Sequence, residues 1–223
     1  MDKINKITRC FNFEMRASKD ENEKGIIEGR PIVYDSETDL GYFREIIERG
    51  ALDKTDLKDV RFLVNHNTDM IPLARSRNNN ENSTMFLGVD DKGGKIRLKL
   101  DIENNTEARN LYSAIDRGDI DGMSFMFSVR GEAWEDEDTD KPLRRITDIE
   151  KVFEVSAVTF PAYEATEINA RCKAELENYR AALENARRNN TPDGDGDNLI
   201  NNNSNNDNEL ELLKLKTKIL NNM

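Results

Sequence analysis

The sequence predicts a mainly antiparallel β barrel or sandwich with peripheral α-helices over residues 1–165, followed by a helical and low-complexity C-terminal tail. Three observations carry this reading. Short runs in which apolar and polar residues alternate recur up to residue 160, as half-buried strands require. Within that body only 105–117 has a clear helical period, with Ala108, Leu111, Tyr112 and Ile115 on one stripe and Gly118 at the stop. After residue 166 the alternation gives way to a helical period and then to an Asn- and Asp-rich run.

Taken in order, Ile7, Phe11, Phe13 and Met15 share one parity, which predicts a strand over 7–16. Residues 26–34 read as a second strand, with Gly29 and Pro31 marking a bulge or an edge. Residues 42–52 read as a short helical turn stopped at Gly50. A buried strand over 60–65 delivers His66 at its end, and Pro72 starts the next extended piece. Residues 83–89 and 95–102 form a hairpin around Asp90–Gly94. The 105–117 helix leads through the Gly118–Gly122 turn into a run with Met123, Phe125, Phe127 and Val129 on one face. Ser124, Met126 and Ser128 lie on the other. Residues 131–142 read as an acidic loop around Trp134, and 143–160 as strand, ended by Pro161. Beyond the body, 166–189 is an amphipathic helix, 190–208 a disordered linker and 209–223 a short terminal helix. The helical stripes suit docking or self-association.

Charged residues make up 35% of the 223 and the net charge is −11. That balance argues against a general nucleic-acid binder, which clusters Lys and Arg on phosphates. No run approaches the ~20 apolar residues of a membrane span, and no apolar leader follows the start, so the chain reads as soluble and unsecreted. Cys10, Cys172 and the single His66 cannot build a zinc site without several carboxylates. Asp193, Asp195 and Asp197 begin like a calcium loop, but Asn198 and Ser204 stand where such a loop needs Gly and Glu. Neither a metal nor a cofactor is expected.

Three residues stand out for chemistry. Ser124, two residues past Gly122 on an apolar strand, is either a satisfied hydroxyl or a nucleophile. His66 is either a half-exposed strand-end residue or the one imidazole that can act as a base near neutral pH. Glu154 interrupts an apolar strand, sharing a face with Ser156 and Val158. It is either an edge gatekeeper or the acid that orients the histidine. Asp148 and Glu150 are weaker candidates for that acid, because their surroundings are more polar. Ser128 and Ser156 are the fallback nucleophiles.

Four blocks follow in order. They are Phe43-Arg44-Glu45-Ile46 with Gly50-Ala51-Leu52, Val60–Asn67 running into Pro72–Arg75, Gly122–Phe127, and Glu154–Tyr163. In this order and spacing the chain, over about 7–165, resembles the prohead maturation proteases of tailed bacteriophages, a family similar in fold to the herpesvirus capsid protease, assemblin. The resemblance implies a herpesvirus-protease-like barrel. It also implies a serine endopeptidase inside a procapsid, in the cytoplasm of the infected bacterial host. Its substrates would be scaffold, the N-terminal segment of the capsid protein, and the enzyme itself. Carried over by motif, the base is His66 and the nucleophile Ser124. The herpesvirus enzyme uses a second histidine as third member; this chain has none, and Glu154 takes that place. Backbone N–H groups form the expected oxyanion hole, with Arg144 and Arg145 as candidates to border it. The rival reading is a non-enzymatic assembly module whose C-terminal helices bind scaffold or capsid protein.

The tail stripes cannot bury themselves, so the tail reads as a removable address with self-cleavage sites inside 165–208. A chain cut near residue 165 should cleave peptides but enter procapsids poorly. Peptide assays and capsid incorporation check this, and equal incorporation removes the addressing role.

Overall fold

The computed structural model describes residues 6–11, 15–18, 25–159 and 166–189. The elements are β1 (Ile7–Phe11), β2 (Met15–Ala17), β3 (Ile26–Val33), β4 (Thr38–Asp39), β5 (Arg44–Ile47), β6 (Arg61–Val64) and β7 (Ala74–Arg75). They continue with β8 (Met85–Asp90), β9 (Gly93–Lys99), α1 (Thr106–Asp116), β10 (Gly122–Glu135), β11 (Leu143–Val158) and α2 (Thr166–Asn189). The chain divides into a compact unit Met1–Lys173, which holds every strand and α1, and a second unit Ala174–Met223. In α2, Cys172 and Leu176 are buried and Tyr179, Leu183 and Ala186 half-buried, the stripe that the helical period marks. The 190–208 linker and the 209–223 helix lie outside the described residues.

Pairing is mainly antiparallel and builds two sheets. One runs β1-β10-β11-β5-β4, with β6 and β7 attached to β11; the other runs β2-β3-β9-β8. Among the described residues both sheets are open. The long hairpin β10–β11 is the spine, and its register slips at four places between Met126 and Glu132. Each slip is a bulge that bends the ribbon and increases its twist. One strand can therefore serve two neighbourhoods. Leu143–Ile146 pairs in parallel with β5, and Glu154–Ala157 pairs in parallel with β6.

Several expectations change. Residues 44–47 are strand, not helical turn, because β11 offers them a ladder. Phe43, Glu45 and Ile47 alternate inward, and the buried glutamate hides that alternation from a reading by hydrophobicity. A left-handed Gly50 (φ 89°) then turns the chain. Residues 131–135 are not loop: β10 continues through Trp134, whose ring meets Phe43 edge-on at 5.1 Å. The 7–16 strand splits, β1 pairing with β10 and β2 with β3. Of the alternatives for Gly29 and Pro31, the bulge holds, since β3 has neighbours on both sides and slips register between Gly29 and Ile32.

The 83–102 hairpin turns at Asp91–Lys92, where a side chain on Gly93 (φ 124°) would sit 2.2 Å from the Ile32 carbonyl. Helix α1 is capped by Asn105, whose side chain accepts from the N–H groups of Glu107 and Ala108. The core is packed by Phe62, Phe125, Phe127, Ile27, Met85, Leu98 and Ile146.

One buried ion cluster ties this core together. Arg9 on β1 grips Glu45 on β5 through two bonds, 2.7 and 2.9 Å. Arg144 on β11 adds a third to Glu45 at 3.1 Å and also binds Glu132 on β10. Burial pushes the Glu45 carboxyl up, but the Arg9 and Arg144 guanidiniums outweigh it and hold the group below its ordinary range. Arg145 pairs with Glu135 and Glu48. Both arginines proposed to border an oxyanion hole are therefore occupied by carboxylates.

Glu45→Gln should destabilise the fold by about 3–5 kcal/mol, since it leaves buried guanidiniums without their counter-charge. Because the folded carboxyl titrates low, its stabilisation is whole above the ordinary carboxylate range and fades as pH falls through it. Urea unfolding from pH 7 downward should show the gap between parent and variant closing in acid. A gap that is small at pH 7 or constant with pH refutes this account.

Candidate active site

The site starts from the exit of β6. Val60, Phe62 and Leu63 are buried, which fixes the strand against β11. Asn65 and His66 then both adopt left-handed backbone, at φ 50° and 56°. Asn and His are among the few non-glycine residues that tolerate this conformation. Asn65 is clamped on three sides. Its N–H donates to the Ala157 carbonyl at 2.9 Å. Its side-chain amide donates to the Thr159 hydroxyl at 3.0 Å and accepts from the Thr159 N–H at 2.9 Å. The double left-handed turn folds the chain back over β11 and brings His66 Nδ1 to 2.5 Å from Glu154 Oε1.

Glu154 is 4% exposed and the His66 side chain 21%, so the contact is sheltered but the ring reaches the surface. The second oxygen of Glu154 accepts from the Ser156 hydroxyl at 2.5 Å, and that hydroxyl accepts from the His66 backbone N–H at 3.2 Å. An ionised carboxylate only accepts, so the neutral tautomer that fits such a partner has its proton on Nδ1 and leaves Nε2 as the ring's acceptor. This is the arrangement in which an imidazole can take a proton from a hydroxyl or a water and pass it on.

Ser124 lies opposite Ser156 in the β10–β11 ladder, with Met126 opposite Glu154. Directly paired residues share a face of a sheet, so Ser124, Ser156 and Glu154 belong to one face, turned away from Phe125 and Val155. Ser124 is fully buried, and its hydroxyl donates to the Arg9 carbonyl of β1 at 2.7 Å. The weaker candidates sit elsewhere. The Ser128 hydroxyl donates to Glu150 at 3.1 Å, and Asp148 faces Arg130. Glu150 is four residues up the strand from Glu154, about 13 Å by strand rise.

Sequence reasoning missed the clamp of Asn65 and Thr159 and the bridging place of Ser156. The available signals were an asparagine just before a strand-end histidine and a serine two residues past the glutamate on the same face. Among the described residues no group of three or more His, Cys, Asp or Glu side chains could hold a metal.

A family model described as caudovirus prohead serine protease matches residues 11–181, well over half of the chain. No curated protein and no solved structure matches it.

Asn65→Ala should lower stability by about 1–3 kcal/mol, because alanine gives up the Thr159 bonds and resists the left-handed backbone. It should also loosen His66. Since His66 is the chain's one histidine, its imidazole protons form a single readable NMR set, and broadening of the Nδ1 proton is the expected result. An unchanged signal shows that the turn holds without the clamp.

Proposed function

This chain belongs to the caudovirus prohead serine protease family, and we propose that Ser124 is its nucleophile, His66 its general base and Glu154 the acid that orients the imidazole. A serine endopeptidase that serves phage capsid maturation is what the family match establishes, and the non-enzymatic assembly module gives way to it. The observation that carries the residue assignment is the 2.5 Å contact of His66 Nδ1 with Glu154, on the strand whose next inward hydroxyl faces Ser124 across the ladder.

In this reading a bound peptide draws the Ser124 hydroxyl from the Arg9 carbonyl toward His66 Nε2. The hydroxyl oxygen attacks the scissile carbonyl carbon while its proton moves to Nε2. Collapse of the tetrahedral intermediate breaks the C–N bond, and Nε2–H delivers that proton to the departing amine. Water then repeats the sequence on the acyl-enzyme, releasing the carboxylic product and returning a proton to Ser124. Glu154 keeps Nδ1 protonated and offsets the imidazolium charge during each transfer. The substrates we assign are scaffold or the N-terminal segment of the capsid protein, inside the procapsid in the host cytoplasm, and finally the protease itself. The two sheets are taken as parts of a barrel like that of the herpesvirus enzyme, and the tail as the segment that recruits the chain to the shell.

Ser124→Ala should fold normally and lose about 10⁴-fold in peptide cleavage, together with labelling by an active-site serine reagent. Activity should rise with pH as His66 loses its proton. Glu154→Gln removes the charge that favours the imidazolium, so it should cut kcat and move that rise to lower pH. Full activity in Ser124→Ala would pass the nucleophile to another serine. An unmoved pH profile in Glu154→Gln would remove Glu154 from the set.

A further inference from the structure

We propose that Ser156 is the positioning residue of this site, a buried hydroxyl that locks the His66–Glu154 pair by holding both of its members at once. The inference rests on the assignment of that pair as base and orienting acid. A hydroxyl has one proton to give and lone pairs to receive. Ser156 gives its proton to Glu154 Oε2 at 2.5 Å and receives the His66 backbone N–H at 3.2 Å. One bond fixes the carboxylate's rotation and the other fixes the left-handed turn that carries the imidazole.

Among the described residues no other hydrogen-bond partner of Glu154 does this work. Its first oxygen is spent on Nδ1, so the second would be left bare if Ser156 lost its hydroxyl. Ser156 is fully buried, and the carboxylate is 4% exposed, so solvent is poorly placed to take over. A buried carboxylate oxygen without a donor is costly. The side chain would turn to find one, carrying Oε1 away from the ring. Backbone alone cannot supply the lock, because the β11–β6 ladder sets the strands and not the rotation of Glu154 about its side-chain bonds.

This placement also separates Ser156 from the nucleophile. Its proton is committed to Glu154 and not to Nε2, whereas Ser124, across the ladder, spends its own on a neutral carbonyl. A neutral acceptor is the easier one to leave.

The test uses the full chain with Ser156→Ala and Ser156→Thr, alone and in the Glu154→Gln background. Alanine should lower kcat about 10- to 100-fold, the effect of one hydrogen bond to a charged group, with KM within about threefold of the parent. It should broaden or erase the Nδ1 proton signal of the single histidine, and threonine, which keeps the hydroxyl, should restore both. In the Glu154→Gln background alanine should cost little more, because the two act through one contact. Parent-like kcat and Nδ1 signal in Ser156→Ala overturn the proposal, as does a full additive loss on top of Glu154→Gln. Serine-reagent labelling that maps to Ser156 overturns it too, by making Ser156 the nucleophile. A parent that neither labels nor cleaves would defeat the protease assignment of the pair. The Nδ1 signal would still report whether Ser156 holds it.

Discussion

The parallel ladder between β6 and the last third of β11 is the constraint on which the site depends. It sets Glu154 beside Arg61 and Ala157 beside Val64, so the chain leaving β6 emerges next to the face that carries Glu154 and Ser156. Had β6 run antiparallel, its exit would have met the other end of β11. The left-handed residues Asn65 and His66 complete the placement by folding the chain back over that face. Their conformation is sparsely populated for side chains with a β-carbon, and the Thr159 clamp holds it where the imidazole needs it.

Among the described residues two glutamates are buried, and the molecule treats them differently. Glu45 is met by two guanidiniums that stay charged at any relevant pH, so its charge is neutralised permanently and the cluster serves as a joint between β1, β5, β10 and β11. Glu154 is met by an imidazole and a hydroxyl, neither of which carries a fixed charge. A buried carboxylate whose partner can gain and lose a proton stabilises the protonated ring whenever chemistry forms it. The same residue type therefore meets fixed charges at one end of β11 and a titratable ring at the other.

Arg9 joins the two ends. Its guanidinium belongs to the Glu45 cluster, and its carbonyl receives the Ser124 hydroxyl. Among the described residues strand β1 is an edge of its sheet, paired only with β10, and an edge strand has little to hold it in register apart from its side chains. The buried ion pair supplies that hold. The position of the carbonyl that cradles Ser124 thus depends on charges on the opposite side of the hairpin.

By itself the sequence determined the local elements whose residues follow one period. The hairpin at 83–102, the capped helix α1 and the alternating faces of β10 are legible, because each is specified by neighbours a few residues apart. It also singled out His66, Ser124 and Glu154, through an imidazole with no rival, a serine after a glycine turn and a carboxylate amid Val and Phe. Only the tertiary structure decided that 44–47 is strand, that Trp134 lies in β10, and that 7–16 divides between two sheets. Those outcomes hinge on a distant ladder and on a buried Glu45 that reads as polar. It alone placed Glu154, and neither Asp148 nor Glu150, within reach of the ring, and it alone showed Ser156 and the Asn65–Thr159 clamp. The physical reason is common to all of these: hydrogen bonds between residues some ninety positions apart leave no periodic trace in the chain, and register and backbone turn, not composition, decide which polar groups meet.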